Sequence, residues 1–110
     1  MKVFYRNELV VKDITIANNF WTKLSGYMFR NTPHTPAILF ETGGSMQTTF
    51  MKFNLDIIFL DSKNTIVKVL RNVKPWRFTS FYKGVKKVLE LPEGTIPYEL
   101  SEGEVLSFIE

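Results

Sequence analysis

A carboxylate among apolar residues is the feature of this sequence that most directly suggests chemistry. Asp56 stands at the head of an apolar segment, with Leu55, Ile57, Ile58 and Phe59 around it. Burial raises the pKa of such a carboxyl group unless a cation or hydrogen-bond donors stabilise its charge. Carboxyl groups with shifted pKa values cluster at functional sites, so Asp56 is a candidate functional residue.

Asp56 also has a structural interpretation, in which it pairs with Lys52 or Arg30 or accepts hydrogen bonds from turn amides. A catalytic interpretation requires a second carboxylate, and Glu41 is the candidate. Glycoside chemistry needs two carboxyl groups about 5 to about 9.5 Å apart. A small hydrolase or carbohydrate-active enzyme using Asp56 is therefore one function that the sequence leaves open.

Other catalytic and cofactor motifs are missing from the sequence. His34, the one histidine, lies between Pro33 and Pro36 in a predicted loop, where we expect an exposed side chain. Metal sites need three or four ligands, so we predict no metal site. The glycine-containing segment 42–45 lacks the strand–loop–helix setting of a phosphate loop. We therefore predict no cofactor.

Residues 74–83 carry four aromatic side chains interleaved with cations. Aromatic rings stack on bases or sugars, and Lys and Arg bind phosphates or carboxylates. Trp76 and Arg77 are therefore candidate binding residues. In the structural alternative, Trp76 and Phe78 close one end of a barrel, and Arg77 is stacked or paired with Glu90.

The charge of the chain is segregated, although its net charge is only +3. Residues 62–89 contain eight basic residues and no acid, whereas residues 90–110 contain six glutamates and no base. The basic residues are Lys63, Lys68, Arg71, Lys74, Arg77, Lys83, Lys86 and Lys87. The run from Lys63 to Lys87 could serve a nucleic-acid-binding module, which is the second function left open. Neutralisation between neighbouring elements is the structural alternative.

Length and composition bound the remaining possibilities. A chain of 110 residues predicts one domain over residues 1–110. The absence of cysteine excludes disulfides and thiolate chemistry and is compatible with a reducing compartment. Neither a secretory signal nor a membrane span is recognisable, so we expect a soluble, cytoplasmic protein.

The apolar pattern predicts seven or eight short strands and one helix. Phe20, Trp21, Leu24, Tyr27 and Met28 fall at helical spacing. Strands are predicted within residues 3–16 (two around a turn), 37–40, 46–52, 55–60, 66–73, 85–91 and 104–109. Because only one helix is available for crossovers, we expect a mostly β fold: a small antiparallel barrel or a sandwich-like domain with a short helix near the N-terminus.

Five strings of residues together resemble the DUF192 family of small prokaryotic proteins. They occupy residues 26–30, 48–61, 75–77, 88–94 and 103–106, and the resemblance extends over about residues 17–108. It implies a compact, mostly β, barrel-like domain with a helix near its start, and no established activity. Family members often carry His where this chain has Gln47, and Pro where it has Asn54. The missing histidine weakens the case for acid–base chemistry there.

The leading hypothesis is a small, non-enzymatic binding or accessory domain. The most distinctive strings mix polar with apolar residues beyond what packing requires, which points to a binding face near residues 47–56 and the Trp76 loop. An anionic ligand or a protein is the expected partner. The residues assigned to this face are Gln47, Thr48, Lys52, Asp56, Trp76 and Arg77.

Overall fold

The computed structural model describes residues 1–17 and 25–110. Its strands are β1 (Lys2–Tyr5), β2 (Glu8–Val11), β3 (Thr15–Ala17), β4 (Ile38–Phe40), β5 (Leu55–Leu60), β6 (Ile66–Val73), β7 (Lys87–Pro92) and β8 (Ser107–Ile109). They form a five-stranded sheet in the order β3-β4-β7-β5-β6 and a three-stranded sheet in the order β2-β1-β8. Within the described ranges no helix is long and apolar enough to cross a membrane.

The prediction of a mostly β fold is confirmed. Of the two architectures left open, the closed barrel is wrong, because the described strands form two separate sheets. The antiparallel prediction holds for every named pair except one. β3 and β4 run parallel, with Thr15 opposite Ile38 and Ala17 opposite Phe40. A parallel pair needs a crossover connection, which here runs through residues 18–37.

The predicted helix lies mainly on residues 18–24, outside the described residues. Tyr27 and Met28, which the helical spacing included, lie in a turn that begins after Ser25. In this turn the amide of Met28 donates to the carbonyl oxygen of Ser25 at 2.6 Å, and Gly26 adopts a φ of 48°.

β5 and β7 form the centre of the larger sheet and separate two apolar clusters. All six residues of β5 are buried, as its continuous apolar run predicted. Side chains alternate between the two faces of a strand. Ile58 and Leu89 pack with Leu106 in the cluster that faces the smaller sheet. Ile57 and Val88 pack in the cluster on the opposite face.

The hairpin between β5 and β6 is confirmed at both strand boundaries. One carboxylate oxygen of Asp61 accepts hydrogen bonds from the amides of Lys63 at 2.8 Å and Thr65 at 2.9 Å. Asn64 takes the predicted left-handed conformation, with φ 64°. The hairpin thereby fixes the position of β6 beside the central strands.

The strand predicted over residues 46–52 is wrong. Only an isolated bridge between Gln47 and Phe78 remains, and residues 49–50 form a turn. The carbonyl oxygen of Thr48 accepts from the amides of Met51 at 3.2 Å and Trp76 at 2.9 Å. Because the chain turns at this residue, the second apolar cluster is covered by irregular segments instead of a further strand.

Candidate ligand-binding site

Thr48 joins two of the predicted motifs into one structural unit. Its buried hydroxyl donates to the carbonyl oxygen of Lys74 at 2.7 Å and accepts from the amide of Arg77 at 2.9 Å. Its own amide donates to the carbonyl oxygen of Arg77 at 2.8 Å. Thr48 therefore builds the site by holding the Trp76 loop, and its side chain is not free to contact a ligand.

The segment around Gly44 runs antiparallel to the chain that follows the Trp76 loop. Thr79 donates to the carbonyl oxygen of Met46 at 2.9 Å, and Tyr82 donates to that of Gly44 at 2.8 Å. A Cβ atom on Gly44 would lie 2.0 Å from the carbonyl oxygen of Tyr82. Only glycine allows this backbone approach, which closes one side of the site.

Glu90 is a buried carboxyl group on the face of β7 that carries the second cluster. It lies opposite Ile38 of β4 and Ile57 of β5, and its exposed fraction is 3%. Burial raises the pKa of Glu90 to about 8. The carboxyl group is therefore mostly protonated at pH 7 and can donate a hydrogen bond.

A small cavity of about 40 Å³ adjoins Glu90. Gly26 allows close packing on one side, because a Cβ atom there would lie 3.7 Å from Glu90 Oε1 and 3.2 Å from the Phe40 ring. Burial and the nearby Glu90 raise the pKa of Tyr27 above its usual range. The Tyr27 hydroxyl donates to the carbonyl oxygen of Thr35 at 2.9 Å.

A larger cleft of about 410 Å³ adjoins this cavity. The two share Phe40, Met46 and Gln47 as lining residues. The rest of the cleft is lined by Glu41, Thr42, Ser45, Phe78 and Thr79. Its volume lies in the range of small-molecule sites, about 300 to 1,000 Å³.

Gln47 is the predicted site residue that lines both spaces. Its side-chain oxygen accepts hydrogen bonds from the amide and the hydroxyl of Thr49. This leaves the amide NH₂ group as the part of Gln47 that can donate to a bound molecule.

Three exposed aromatic rings form a row beside the site, which we call the aromatic ridge: Phe29, Phe50 and Trp76. The rings of Phe29 and Phe50 stack with centroids 4.7 Å apart, and Trp76 meets Phe50 edge-on at 4.7 Å. The amide of Phe29 donates to the carbonyl oxygen of Phe50 at 2.9 Å. The ridge thus joins the strings at residues 26–30, 48–61 and 75–77.

All three ridge residues have left-handed backbone conformations, with φ values of 63°, 61° and 63° for Phe29, Phe50 and Trp76. Such a conformation costs a bulky residue about 1 to 3 kcal/mol. The surrounding hydrogen bonds must offset this cost.

Lys52 and Arg77 lie beside the ridge and are exposed. Lys52 Nζ donates to the side-chain oxygen of Asn31 at 3.2 Å. Arg77 Nη1 lies 3.5 and 3.4 Å from the carbonyl oxygens of Pro75 and Trp76. The structural alternative for this loop is wrong, because Arg77 is exposed while Glu90 is buried, and Trp76 and Phe78 are 56% and 78% exposed.

Asp56 lies apart from the cleft. Its two carboxylate oxygens accept hydrogen bonds from the amides of Asn72 at 2.9 Å and Gly94 at 3.0 Å. Asp56 lines a separate cavity with Arg71 and Tyr98. The pairing with Lys52 or Arg30 is replaced by backbone amides, as the turn alternative described.

The carboxylate pair proposed for hydrolysis is not assembled. Asp56 lies opposite Leu91 of β7, while Glu41 follows Phe40, which lies opposite Val88. Four residues along β7 separate the two positions, or about 13 Å. They also lie on different sides of that strand, so their separation exceeds the range for glycoside chemistry.

The basic run is dispersed over the described surface. Lys68 pairs with Glu102 at 3.4 Å, and Lys87 Nζ donates to the side-chain oxygen of Asn64 at 2.8 Å. Arg71 Nη2 lies 2.9 Å from the carbonyl oxygen of Pro97. These three cations of the run therefore serve local contacts.

His34 is exposed, with its ring edge-on to Tyr27 at 5.6 Å. Burial and the nearby Arg30 lower the pKa of His34. Within residues 1–17 and 25–110, no three His, Cys, Asp or Glu side chains are grouped to hold a metal ion.

The sequence reasoning missed Glu90 as a site residue and missed the ridge as a unit. One signal for Glu90 was present: a single charged residue within the apolar run 88–91 of a predicted strand. β7 is buried on both faces because it is the central strand of the sheet. This strand order was not predicted from the sequence. The left-handed conformations of the ridge residues had no signal, since none of them is Gly, Asn or Asp.

Comparison with known proteins gives one family. The family model of DUF192, described as Uncharacterized ACR, matches residues 3–108. The UPF0127 protein of Pyrococcus abyssi is 38% identical over 85 residues, covering 74% of this chain and 72% of that protein. The UPF0127 protein of Thermococcus sibiricus is 36% identical over 92 residues, and the match spans 58% of its length and 77% of this chain.

Two solved structures have the same fold. A chain from Novosphingobium aromaticivorans of unknown function superposes with a TM-score of 0.75 at 18% identity, covering 97% of this chain and 82% of that one. A chain from Sinorhizobium meliloti, provisionally described as a transcription regulator, superposes with a TM-score of 0.70 at 25% identity. That match covers 86% of this chain and 79% of the other.

Proposed function

Because this chain belongs to the DUF192 family, whose function is uncharacterised, we propose a function from the site itself: the protein is a binding domain for a small, polar, uncharged ligand. The ligand occupies the cleft between residues 41–47 and 78–79 and reaches the Glu90 cavity. The resemblance drawn from the sequence strings is confirmed by the family match.

The buried Glu90 carboxyl group, which lines the cavity that adjoins the cleft, is the observation that carries this proposal. A neutral carboxyl group both donates and accepts hydrogen bonds. A ligand oxygen or amide that reaches Glu90 forms a hydrogen bond with a buried carboxyl group. Hydrogen bonds are stronger in such an environment, which is largely shielded from water.

The lining favours an uncharged ligand with several hydroxyl or amide groups. Thr42 and Ser45 supply hydroxyls, and Gln47 supplies an amide. The Thr79 hydroxyl is engaged, because it donates to the carbonyl oxygen of Ser80 at 3.0 Å and accepts from the amide of Met46 at 2.9 Å. Phe78 supplies an aromatic ring, with 78% of its surface exposed.

The lining of the cleft and cavity includes two acids, Glu41 and Glu90, and no cation among the described residues. An anionic ligand therefore suits the cations near the ridge better than it suits this cleft.

Of the predicted binding face, Gln47 belongs to the cleft and Thr48 supports it. Lys52, Trp76 and Arg77 belong to the adjoining ridge, and Asp56 belongs to a different cavity. For the ligand of the cleft, the binding role stays a proposal for Gln47 alone among these residues. The nucleic-acid and hydrolase alternatives are less well supported, because the basic run is dispersed and the carboxylate pair is not assembled.

Nuclear magnetic resonance can test the proposal with a panel of neutral monosaccharides, polyols and primary amides. We expect at least one compound to shift the backbone amides of Gln47 and Thr79 at millimolar concentration. Ser45→Trp, which fills the cleft, should abolish these shifts. Ser107→Trp, at an exposed position on β8, is the matched control and should leave them unchanged.

The pH dependence of binding gives a second measurement. Affinity should fall as pH rises through about 8, because ionised Glu90 no longer donates a hydrogen bond. Glu90→Gln stays neutral and should bind equally well on both sides of this pH. If no compound in the panel shifts the cleft amides, or if Ser45→Trp leaves the shifts intact, the proposed site is wrong.

A further inference from the structure

The aromatic ridge is the part of the surface that the proposed ligand site does not use. Phe29, Phe50 and Trp76 are 64%, 45% and 56% exposed. None of them lines the cleft, the Glu90 cavity or the Asp56 cavity. Each is held in a left-handed conformation on a separate turn. Residues in such conformations cluster at functional sites, where the surrounding structure maintains them.

Each of the three turns of the ridge carries at least one cation close in sequence to its ring. Arg30 directly follows Phe29, Lys52 lies two residues after Phe50, and Lys74 and Arg77 flank Trp76. All four side chains are exposed. Residues 25–31, 48–54 and 74–78, which build the three turns, contain no acidic residue. The ridge thus combines an apolar row with an unbalanced positive charge.

We propose that the aromatic ridge docks the protein on an anionic membrane surface. Trp and Phe side chains partition into the boundary between headgroups and acyl chains. Lys and Arg beside them are attracted to anionic lipid headgroups. Rings at the tips of neighbouring turns enter this boundary together, while the cations remain at headgroup level.

Other occupants fit the same features less well. Base stacking requires a free ring face, and Phe50, the middle ring, already contacts the rings of Phe29 and Trp76. A second copy of this chain would bring two sets of four cations together, which is unfavourable. An acidic protein partner satisfies the charge, and it is distinguished from a membrane by experiment.

Vesicle sedimentation tests the proposal with the full chain. Vesicles containing phosphatidylserine or phosphatidylglycerol should bind the protein, and phosphatidylcholine vesicles should bind it much more weakly. Lys74→Ser with Arg77→Ser should weaken binding about thirty-fold, since each cation contributes about 1 kcal/mol, or about a fivefold factor. Lys12→Ser with Lys63→Ser removes two exposed cations elsewhere and is the matched control.

The rings are tested by asparagine substitution. Asn removes the ring and accepts a left-handed backbone better than Phe or Trp does. Phe29→Asn, Phe50→Asn and Trp76→Asn combined should lower vesicle binding about a hundred-fold or more, because three apolar contacts are lost. Leu9→Asn, Phe81→Asn and Tyr98→Asn remove three exposed apolar side chains elsewhere and should have little effect.

Trp76 also reports its own environment. In a Trp21→Phe background it is the remaining tryptophan of the chain, and its emission should shift to shorter wavelength with anionic vesicles. Failure to bind anionic vesicles, or equal loss in the ridge and control variants, would overturn the proposal. Binding of a single-stranded oligonucleotide or an acidic peptide in place of vesicles would overturn it in favour of that partner. These outcomes are independent of ligand binding in the cleft.

Discussion

At the scale of single residues, Glu90 links the site to the stability of the fold. Its pKa of about 8 in the folded chain compares with an ordinary value of 4.5. Below pH 4.5 both the folded and the unfolded chain hold this proton. Between about pH 4.5 and 8 the unfolded chain loses the proton while the folded chain keeps it, so ionisation favours unfolding. Above about pH 8 the folded chain also loses the proton, so the loss of stability no longer grows with pH.

Glu90→Gln should therefore remove a pH dependence from the free energy of unfolding. We expect wild-type stability to fall by a few kcal/mol between pH 5 and pH 8.5 because of this one group. The variant should lose much less over this interval and be the more stable protein at pH 8.5. Urea unfolding at the two pH values measures this, with the exposed Glu8→Gln as control. Equal pH slopes for wild type and Glu90→Gln would show that Glu90 ionises freely in the folded protein.

At the scale of elements, the antiparallel approach of residues 44–48 to residues 77–82 closes one side of the cleft. Its tightest point is Gly44, where an added Cβ atom would clash with the backbone of Tyr82 at 2.0 Å. Gly43, the preceding residue, has open space around its Cβ position. Neither glycine has a positive φ, so the two differ in packing and not in required backbone conformation.

Gly44→Ala should destabilise the fold by about 3 kcal/mol or more, because a backbone clash cannot be relieved by a side-chain rotation. Gly43→Ala should leave stability unchanged or raise it by up to about 1 kcal/mol, because it reduces the freedom of the unfolded chain. Urea unfolding of the two variants measures the difference. Similar stabilities would mean that the two segments do not approach each other this closely in solution.

Local patterns predicted the elements that are defined by local contacts. β5, β6 and their hairpin followed from an apolar run, an Asp-led turn and Asn64. The conformation of residues 46–52 was not predictable from local patterns. The alternation of this segment resembles a strand, but Thr48 forms hydrogen bonds to a loop that is distant in sequence. The parallel pairing of β3 with β4 likewise depends on a crossover that no local pattern encodes.

The proximity of two sequence strings was predictable, whereas the chemistry of the candidate site was not, and its binding role stays a proposal. The strings containing Gln47 and Trp76 do meet in space, as the binding-face hypothesis required. Asp56 was chosen as a buried carboxyl group, and it is buried, yet two backbone amides hold it. Glu90 has the shifted pKa expected of a functional carboxyl group. Distinguishing the two required knowing which face of the central sheet each occupies.

At the scale of the whole molecule, the two apolar clusters pack on opposite faces of the five-stranded sheet. Alternation along β5 and β7 sends neighbouring residues to opposite clusters. Loss of packing on the face that meets the smaller sheet therefore weakens the strands that carry the cleft and ridge on the other face. The chain should consequently unfold as one cooperative unit.

Leu106→Ala tests this cooperativity from the side opposite the ridge. Leu106 is buried in the cluster with Ile58 and Leu89, so its truncation should cost about 2 to 5 kcal/mol. In a Trp21→Phe background, Trp76 fluorescence and far-ultraviolet circular dichroism should show the same shift of the urea midpoint. Ile109→Ala, at a half-exposed position three residues further along, in β8, should shift it much less. If Trp76 kept its original midpoint while the circular dichroism transition moved, the two clusters would unfold separately. Ridge and cleft would then have to be treated as a unit independent of the smaller sheet.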